Sequence, residues 1–299
     1  MRKCNVVSIN MPVTGGNITP ETNMERILTS IDNIAILKPD LVCLPEFFLE
    51  AGTSGSIDRE KISKLAFETL SRKAAELKTY IVAGAYEIID GKMYNCAWLI
   101  DRGGNLSGRY IKNHPVDFEM EMGVYPGSEV PVFETDFGKL GILICFDIDW
   151  IDPWVELGKK GAEAVVWISA YEGGYPLCAH AAGNMYYVFS SVWGRKARII
   201  DMTGEVLTSS SRWIDWAFMQ VSMDKTMFHM DKQADRIVTV QRELGSRITL
   251  TTYDEESRFT IESNDPSLPM DKIIEKYGLV TFREYHGRTE VMHKKMRNT

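Results

Sequence analysis

The first 200 residues alternate short, nearly continuous apolar runs with longer amphipathic stretches, and few folds accommodate that alternation. Strand, helix, strand builds parallel pairs joined by crossovers, with helices covering the sheet faces. Strands are predicted at 3–9, 40–44, 79–86, 93–100, 139–145, 164–169, 187–192, 197–201 and 216–221. The Gly-bearing turns Asp101-Arg-Gly-Gly-Asn105 and Asp201-Met-Thr-Gly-Glu205 fold neighbouring strands back as hairpins, so the sheets are mixed.

The first helix has a legible start: Thr19 as cap and Pro20 in the first turn, then one stripe of Met24, Ile27, Leu28, Ile31 and Ile34, with Pro39 helping to stop it. A second helix is predicted over 56–78, presenting Ile62, Leu65, Ala66, Leu70 and Ala74 inward. After about Gly245 the chain turns polar, offers a short helix at 270–277 and closes basic. A tail of that size is too small to bury a core alone. The expected division is therefore a main domain over 1–250 and an extension over 251–299 packing on that domain or on a partner subunit.

Composition narrows the function. With 299 residues, 44% hydrophobic and 25% charged, the chain is globular, and its net charge of −7 is spread along it. That balance argues against nucleic-acid or anionic-membrane partners and for small-molecule substrates. The N-terminal apolar run is too short for a secretory signal, and no stretch approaches the ~20 apolar residues of a membrane span, so a cytoplasmic protein is expected. Five scattered cysteines, Cys4, Cys43, Cys96, Cys145 and Cys178, show neither paired nor metal-ligand spacing, and reduced thiols without a metal are expected.

Three polar residues stand at the ends of strand-like runs: Glu46 after Leu44-Pro45, Lys112 after Tyr110-Ile111, and Cys145 after Ile142-Leu-Ile144. In an open α/β sheet, ligands gather beyond the carboxyl ends of strands. A carboxylate, an ammonium and a thiol converging there are what thiol-based acyl transfer needs. The thiol attacks as thiolate, the carboxylate takes its proton, and the ammonium faces the oxyanion. The backbone N–H of Phe146 completes the oxyanion site. Each residue alone has a bland reading, since cysteine in an apolar strand is usually inert core, as Cys43 is here. Cys145 differs because polarity begins straight after it, at Asp147.

The polar loop 112–127 carries His114, Glu119 and Glu121 ahead of Pro126-Gly127. One of its glutamates can hold Lys112 or accept from a substrate N–H, and His114 has a supporting role. Trp150 and Tyr171, with Trp154, Tyr175 and Trp193, flank the site strands and can wall a pocket.

Taken in order, Leu44-Pro-Glu46, Tyr110-Ile-Lys112-Asn-His114, Pro126-Gly127, Gly141-Ile-Leu-Ile-Cys145-Phe-Asp147, Gly161-Ala162 and Asn184 resemble the nitrilase, or carbon–nitrogen hydrolase, superfamily over about 3–221. The resemblance implies a four-layer α-β-β-α sandwich of two mixed sheets that dimerises through its helices and needs no cofactor. It implies Glu46 as general base, Lys112 as oxyanion-stabilising lysine and Cys145 as nucleophile. It also implies a second glutamate between the lysine and the Pro-Gly turn, a place for which Glu121 and Glu119 compete, Glu121 being the first choice. The Cys-aromatic-Asp string is similar to amidase and N-carbamoyl-amine hydrolase branches, so small amides or ureido compounds are expected before nitriles.

Two departures stand out: Asp149 where relatives often carry arginine, and His180-Ala-Ala-Gly183-Asn184 where they often read Arg-Ala-x-Glu-Asn. They keep alive a catalytically silent scaffold of the same fold. Asp147-Ile-Asp149 after an apolar strand also resembles the Asp-x-Asp of Mg²⁺-dependent haloacid-dehalogenase-type phosphatases, although that motif belongs on a first strand.

Overall fold

In the computed structural model, residues 2–13 and 18–298 are described. The chain divides into two units, Cys4–Val221 and a smaller one of Met1–Lys3 with Ser222–Thr299.

The larger unit is built on two six-stranded sheets. The first draws on β1 (Lys3–Ile9), β2 (Leu41–Cys43), β3 (Tyr80–Ile89), β4 (Lys92–Ile100) and β5 (Leu106–Ile111), with α1 (Pro20–Ile34) and α2 (Arg59–Leu77) between strands. After the short helix α3 (Asp117–Glu121), the second sheet draws on β6 (Val132–Glu134), β7 (Lys139–Ile144), β8 (Ala164–Ser169), β9 (Tyr187–Val192), β10 (Arg198–Ile200) and β11 (Val206–Ser209). Helices α4 (Ile151–Lys159) and α5 (Tyr175–Asn184) lie between its strands, and β12 (Trp216–Ser222) returns to the edge of the first sheet.

The order is β12-β1-β2-β3-β4-β5 in one sheet and β11-β10-β9-β8-β7-β6 in the other. In the first, β1, β2 and β3 are parallel, and β4 and β5 are added as antiparallel hairpins. The second repeats the plan: β7, β8 and β9 are parallel, with antiparallel strands outside. The mixed α-β-β-α sandwich is as expected, and β1, β8 and β9 have the predicted bounds. Gly84 lies where the sheets meet: a Cβ there would stand 2.7 Å from Ile168 Cδ1 and 3.0 Å from the Cα of Glu46, so the close approach beside Glu46 requires glycine.

The outer helices show how far periodicity reads. On α1, Thr19 Oγ1 accepts from the Thr22 N–H at 3.2 Å, and Met24, Ile27, Ile31 and Ile34 are buried. Asn23 is buried too. Its amide donates to the carbonyls of Leu49 and Ala51, tying the helix to the 3-10 turn Phe48–Glu50 that follows Glu46. On α2 the inward row is Ser63, Ala66, Leu70 and Ala74, and Leu65, expected inside, is 46% exposed. The Ser63 hydroxyl explains the rotation, because it donates to the Tyr86 carbonyl at 2.6 Å inside the interface.

The smaller unit corrects the expectation of a coreless tail. Strands β13 (Lys225–His229), β14 (Ile248–Tyr253) and β15 (Arg258–Ser263) form an antiparallel sheet in the order β13-β15-β14. With α6 (Ala234–Leu244) and α7 (Met270–Tyr277) they enclose Phe228, Val240, Leu244, Phe259, Ile261 and Ile273. The expected boundary at 250 falls within β14. The tail gains a core by recruiting β13 and α6, apolar surface that a break at 250 would leave on the other side. Helix α8 (Phe282–Arg297) closes the chain, capped by Thr281 and Glu284. Among the described residues, no helix is long and apolar enough to cross a membrane.

Candidate active site

Strand direction brings the polar residues together. Because β3, β4 and β5 alternate in direction, β5 runs the same way as β2, so Glu46 just beyond β2 and Lys112 just beyond β5 leave the sheet at one end. The start of β4, with Asn95, lies at that end as well. Cys145 follows β7 of the facing sheet and opens a 3-10 turn, Cys145–Asp149.

Three buried side chains form a charged cluster. Lys112 Nζ donates to Glu46 Oε1 at 3.0 Å and to Glu119 Oε2 at 2.6 Å, and all three residues are at most 3% exposed. Asn95 Nδ2 donates to Glu46 Oε1 at 2.8 Å and to Glu119 Oε1 at 2.7 Å, linking the two carboxylates a second time. Glu46 is further fixed by the Ala170 N–H on Oε2 at 3.1 Å, and its own carbonyl accepts from Trp193 Nε1. Burial alone would lower the Lys112 pKa, but the carboxylates of Glu46 and Glu119 outweigh it and raise the pKa, so the ammonium stays charged.

Cys145 is buried to 9% exposure, and burial, with Glu46 adding to it, pushes the thiol up to about 12; Lys112 and a hydrogen bond from Ser169 pull the other way without reversing the shift. At neutral pH the resting sulfur is therefore a protonated thiol. The carboxylate that disfavours the thiolate is also hydrogen-bonded to the thiol. Cys145 has φ +47° and Phe47, next to Glu46, has φ +44°. Left-handed backbone at non-glycine residues costs ~1–3 kcal/mol each and persists where surroundings enforce it. Here the two residues stand at the starts of the 3-10 turns Phe48–Glu50 and Cys145–Asp149.

Glu46, Lys112, Glu119 and Cys145 line one cavity of about 330 Å³, walled by Phe47, Tyr86, Val116 and Trp193, with Glu50 and Arg59 on its lining. Glu121, the first choice from sequence, is exposed on α3. Residues two apart on a helix point to nearly opposite faces, so only one of this pair can reach Lys112. The geometry corrects the choice to Glu119. Replacing Glu119 with alanine is expected to destabilise the chain by ~3 kcal/mol, as breaking a buried ion pair does. Glu121→Ala should stay within about 0.5 kcal/mol, as surface changes do, in parallel urea titrations.

The remaining expected residues sit around the cavity rather than on its lining. His114 turns to Asp147: its N–H donates to Asp147 Oδ1 at 3.0 Å, and Nδ1 stands 2.8 Å from the same oxygen. Trp150 is half-exposed and stacks on His114, ring centroids 4.4 Å apart. Tyr171 donates its N–H to Ser169 Oγ at 3.0 Å and sets its ring edge-on to Trp167. Phe146 is partly buried in the 3-10 turn. Asp147, fully buried, also accepts from the Tyr110 hydroxyl and the Ile144 N–H, whereas Asp149 is exposed. The two aspartates of the phosphatase-like string are thus separated, and no metal-binding group of His, Cys, Asp and Glu occurs among the described residues.

At the second departure, His180 Nε2 lies 2.8 Å from the Ile148 carbonyl and its ring stacks on Trp154 at 4.1 Å, so α5 is still anchored to the 3-10 turn that Cys145 opens. Asn95 and Ser169 escaped the sequence reading. The signal for Asn95 was an amide alone in the apolar run Met93–Ile100, a buried position that must find polar partners.

Residues 6–226 match the family model described as carbon-nitrogen hydrolase. The omega-amidase NIT2 of Mus musculus is 24% identical over 277 residues, 82% of this chain and 93% of that protein. A hydrolase of Schizosaccharomyces pombe is 29% identical over 145 residues, 44% of this chain and 45% of its own length. The match thus spans about half of that relative. Among solved structures, an amidase from Nesterenkonia sp. superposes with a TM-score of 0.66 at 17% identity, covering 80% of this chain and 95% of that one. With a family match over most of its length and the fold to go with it, the chain belongs to the carbon-nitrogen hydrolase family.

Proposed function

We propose that this protein hydrolyses a non-peptide C–N bond of a small amide or N-carbamoyl amine through a thioester on Cys145. The observation that carries the proposal is the buried Glu46–Lys112–Glu119 cluster in one cavity with a desolvated thiol. Burying three charges costs several kcal/mol per ion unless each is paired. A silent scaffold has no use for that arrangement beside a cysteine held at positive φ.

In the proposed reaction, substrate carbonyl carbon approaches Sγ, Glu46 takes the thiol proton, and the S–C bond forms. Lys112 Nζ and the N–H of Phe146 face the oxyanion. Leading amides of a helical turn have no intrahelical acceptor and are free for that use. The C–N bond breaks as Glu46 returns its proton to the leaving nitrogen. Water, deprotonated by Glu46, then attacks the thioester, releasing acid and restoring the thiol. Glu119 holds Lys112 throughout. Nitriles are the second substrate class for the same thiol.

Screening ammonia release from ω-amides, carbamoyl amines and nitriles tests this directly. Release with an amide or carbamoyl amine, lost in Cys145→Ala, is expected; absence of release with every substrate rejects the proposal. Protonation of the resting thiol supplies another check. Iodoacetamide alkylation of Cys145, followed by peptide mass spectrometry, should be slow at pH 7 and rise about tenfold per pH unit to at least pH 10. A plateau near neutrality would contradict a thiol at about 12. The same raised pKa leaves stability unaffected below pH 9.0, the unperturbed value, where the thiol is protonated folded and unfolded alike, and lowers it as pH climbs from there toward about 12.

Homodimerisation and a cytoplasmic setting belong to the same proposal. Ile151 on α4 and Tyr175 on α5 are 68% and 81% exposed, with Trp150 beside them, apolar surface suited to another copy of the chain. All five cysteines are free, as a reducing compartment permits.

A further inference from the structure

The cavity that holds Cys145 carries a second pair of charges that the proposed chemistry leaves unused. Arg59, the first residue of α2, presents Nε and Nη2 to Glu50, with contacts of 3.1 Å from Nε to Oε1 and 2.9 Å from Nη2 to Oε2. Its guanidinium lies 4.9 Å from the ring centroid of Tyr86, which is itself stacked on Phe47 at 4.0 Å. The Tyr86 ring and the fork to Glu50 together hold the guanidinium in place. Only one edge is used. Among the described residues Nη1 has no hydrogen-bond partner, and Arg59 keeps 32% of its side-chain surface on a residue lining the cavity.

Charge balance says what such a pair can hold. The cavity lining bears three carboxylates, Glu46, Glu50 and Glu119, against two cations, Arg59 and Lys112. Both carboxylates of the buried cluster are spent on Lys112. A ligand with a net negative charge would add to that carboxylate surplus. A ligand with only an ammonium would leave the free edge of Arg59 facing a cation. A zwitterionic head satisfies both: its carboxylate takes the open guanidinium edge, its ammonium joins Glu50, and the net charge is unchanged. Arginine's planar fork suits carboxylate at one edge while another carboxylate holds the other.

Resting on the proposed amide hydrolysis, we infer that Glu50 and Arg59 are specificity-determining residues that bind the α-ammonium and α-carboxylate of an amino acid, whose side-chain carboxamide then reaches Cys145. At about 330 Å³ the cavity is at the small end of ligand pockets and fits one such molecule.

A matched series isolates the head group. L-Glutamine, glutaric acid monoamide lacking the ammonium, 4-aminobutyramide lacking the carboxylate, and butyramide lacking both share one carboxamide arm. Calorimetric binding to the Cys145→Ala protein requires no turnover and so reads the head-group site whether or not the hydrolase assignment holds. The expected result is L-glutamine bound at least tenfold more tightly than each of the other three. That preference should fall to within threefold of butyramide in Arg59→Gln and Glu50→Gln on the same background, with Arg59→Lys intermediate. Both side chains are near the surface, and melting temperatures close to the parent's would verify folding. Equal affinity across the series, tightest binding of the monoanion, absence of L-glutamine binding, or a preference untouched by both substitutions would overturn the inference. Ammonia release from butyramide by the wild-type protein reports separately on the hydrolase reading.

Discussion

Cys145→Ala is expected to remove turnover by a factor on the order of 10⁴ or more, since a covalent route has no substitute once its nucleophile is gone. The chain should melt no lower than the wild type. Cys145 is 9% exposed, and its polar neighbours Glu46 and Ser169 have other hydrogen-bond partners, so little stability rests on the sulfur. Glycine at the same position is expected to raise the melting temperature, because φ +47° is strained for cysteine and free for glycine. Relief of ~1 kcal/mol corresponds to roughly 2–4 °C in a chain of this class. Ammonia assays and calorimetry on the three proteins check both halves. Residual activity within tenfold of wild type in Cys145→Ala would remove the sulfur from the reaction.

Lys112→Met is expected to damage stability and turnover together. Lys112 is 1% exposed and is the cation shared by Glu46 and Glu119. Removing one partner from a buried ion pair costs ~3–5 kcal/mol because a charge is left without compensation. Against a usual total of about 5–15 kcal/mol this is a large fraction, and a fall in melting temperature on the order of 10 °C follows. Loss of an oxyanion donor alone is worth a further ~10²–10³ in kcat. The wild-type cluster also sets a pH limit. The Lys112 pKa is raised in the folded protein, so its contribution to stability is complete below the unfolded value near ~10.4 and is lost as pH rises through the folded one. Alkaline unfolding followed by circular dichroism should begin above that value in the wild type. A Lys112→Met protein as stable as the parent at pH 7 would mean that the two carboxylates are compensated by something other than this ammonium.

Local rules carried far where one periodicity ran uninterrupted. Strands β8 and β9 lie buried on both faces, and their apolar runs mark both ends; Thr19 and Pro20 mark the start of α1 because capping is decided within one turn. The same rules failed where a long-range partner competed. Leu65 gave up the inward face of α2 because Ser63 found the Tyr86 carbonyl, which belongs to another element. The smaller unit stayed hidden because β13 and β15 pair across about thirty intervening residues, and no window of composition contains both.

Chain order alone determined that a carboxylate, an ammonium and a thiol end strands of one α/β sandwich, since strand exits follow from hydrophobic patterning and turn chemistry. It could not say which glutamate of α3 meets Lys112, that Asn95 bridges the two carboxylates, or that Glu50 and Arg59 share the cavity with Cys145. Those are matters of facing and distance. They depend on the antiparallel turn from β4 to β5 and on the close approach of two sheets at Gly84, where tens of residues separate the groups that touch.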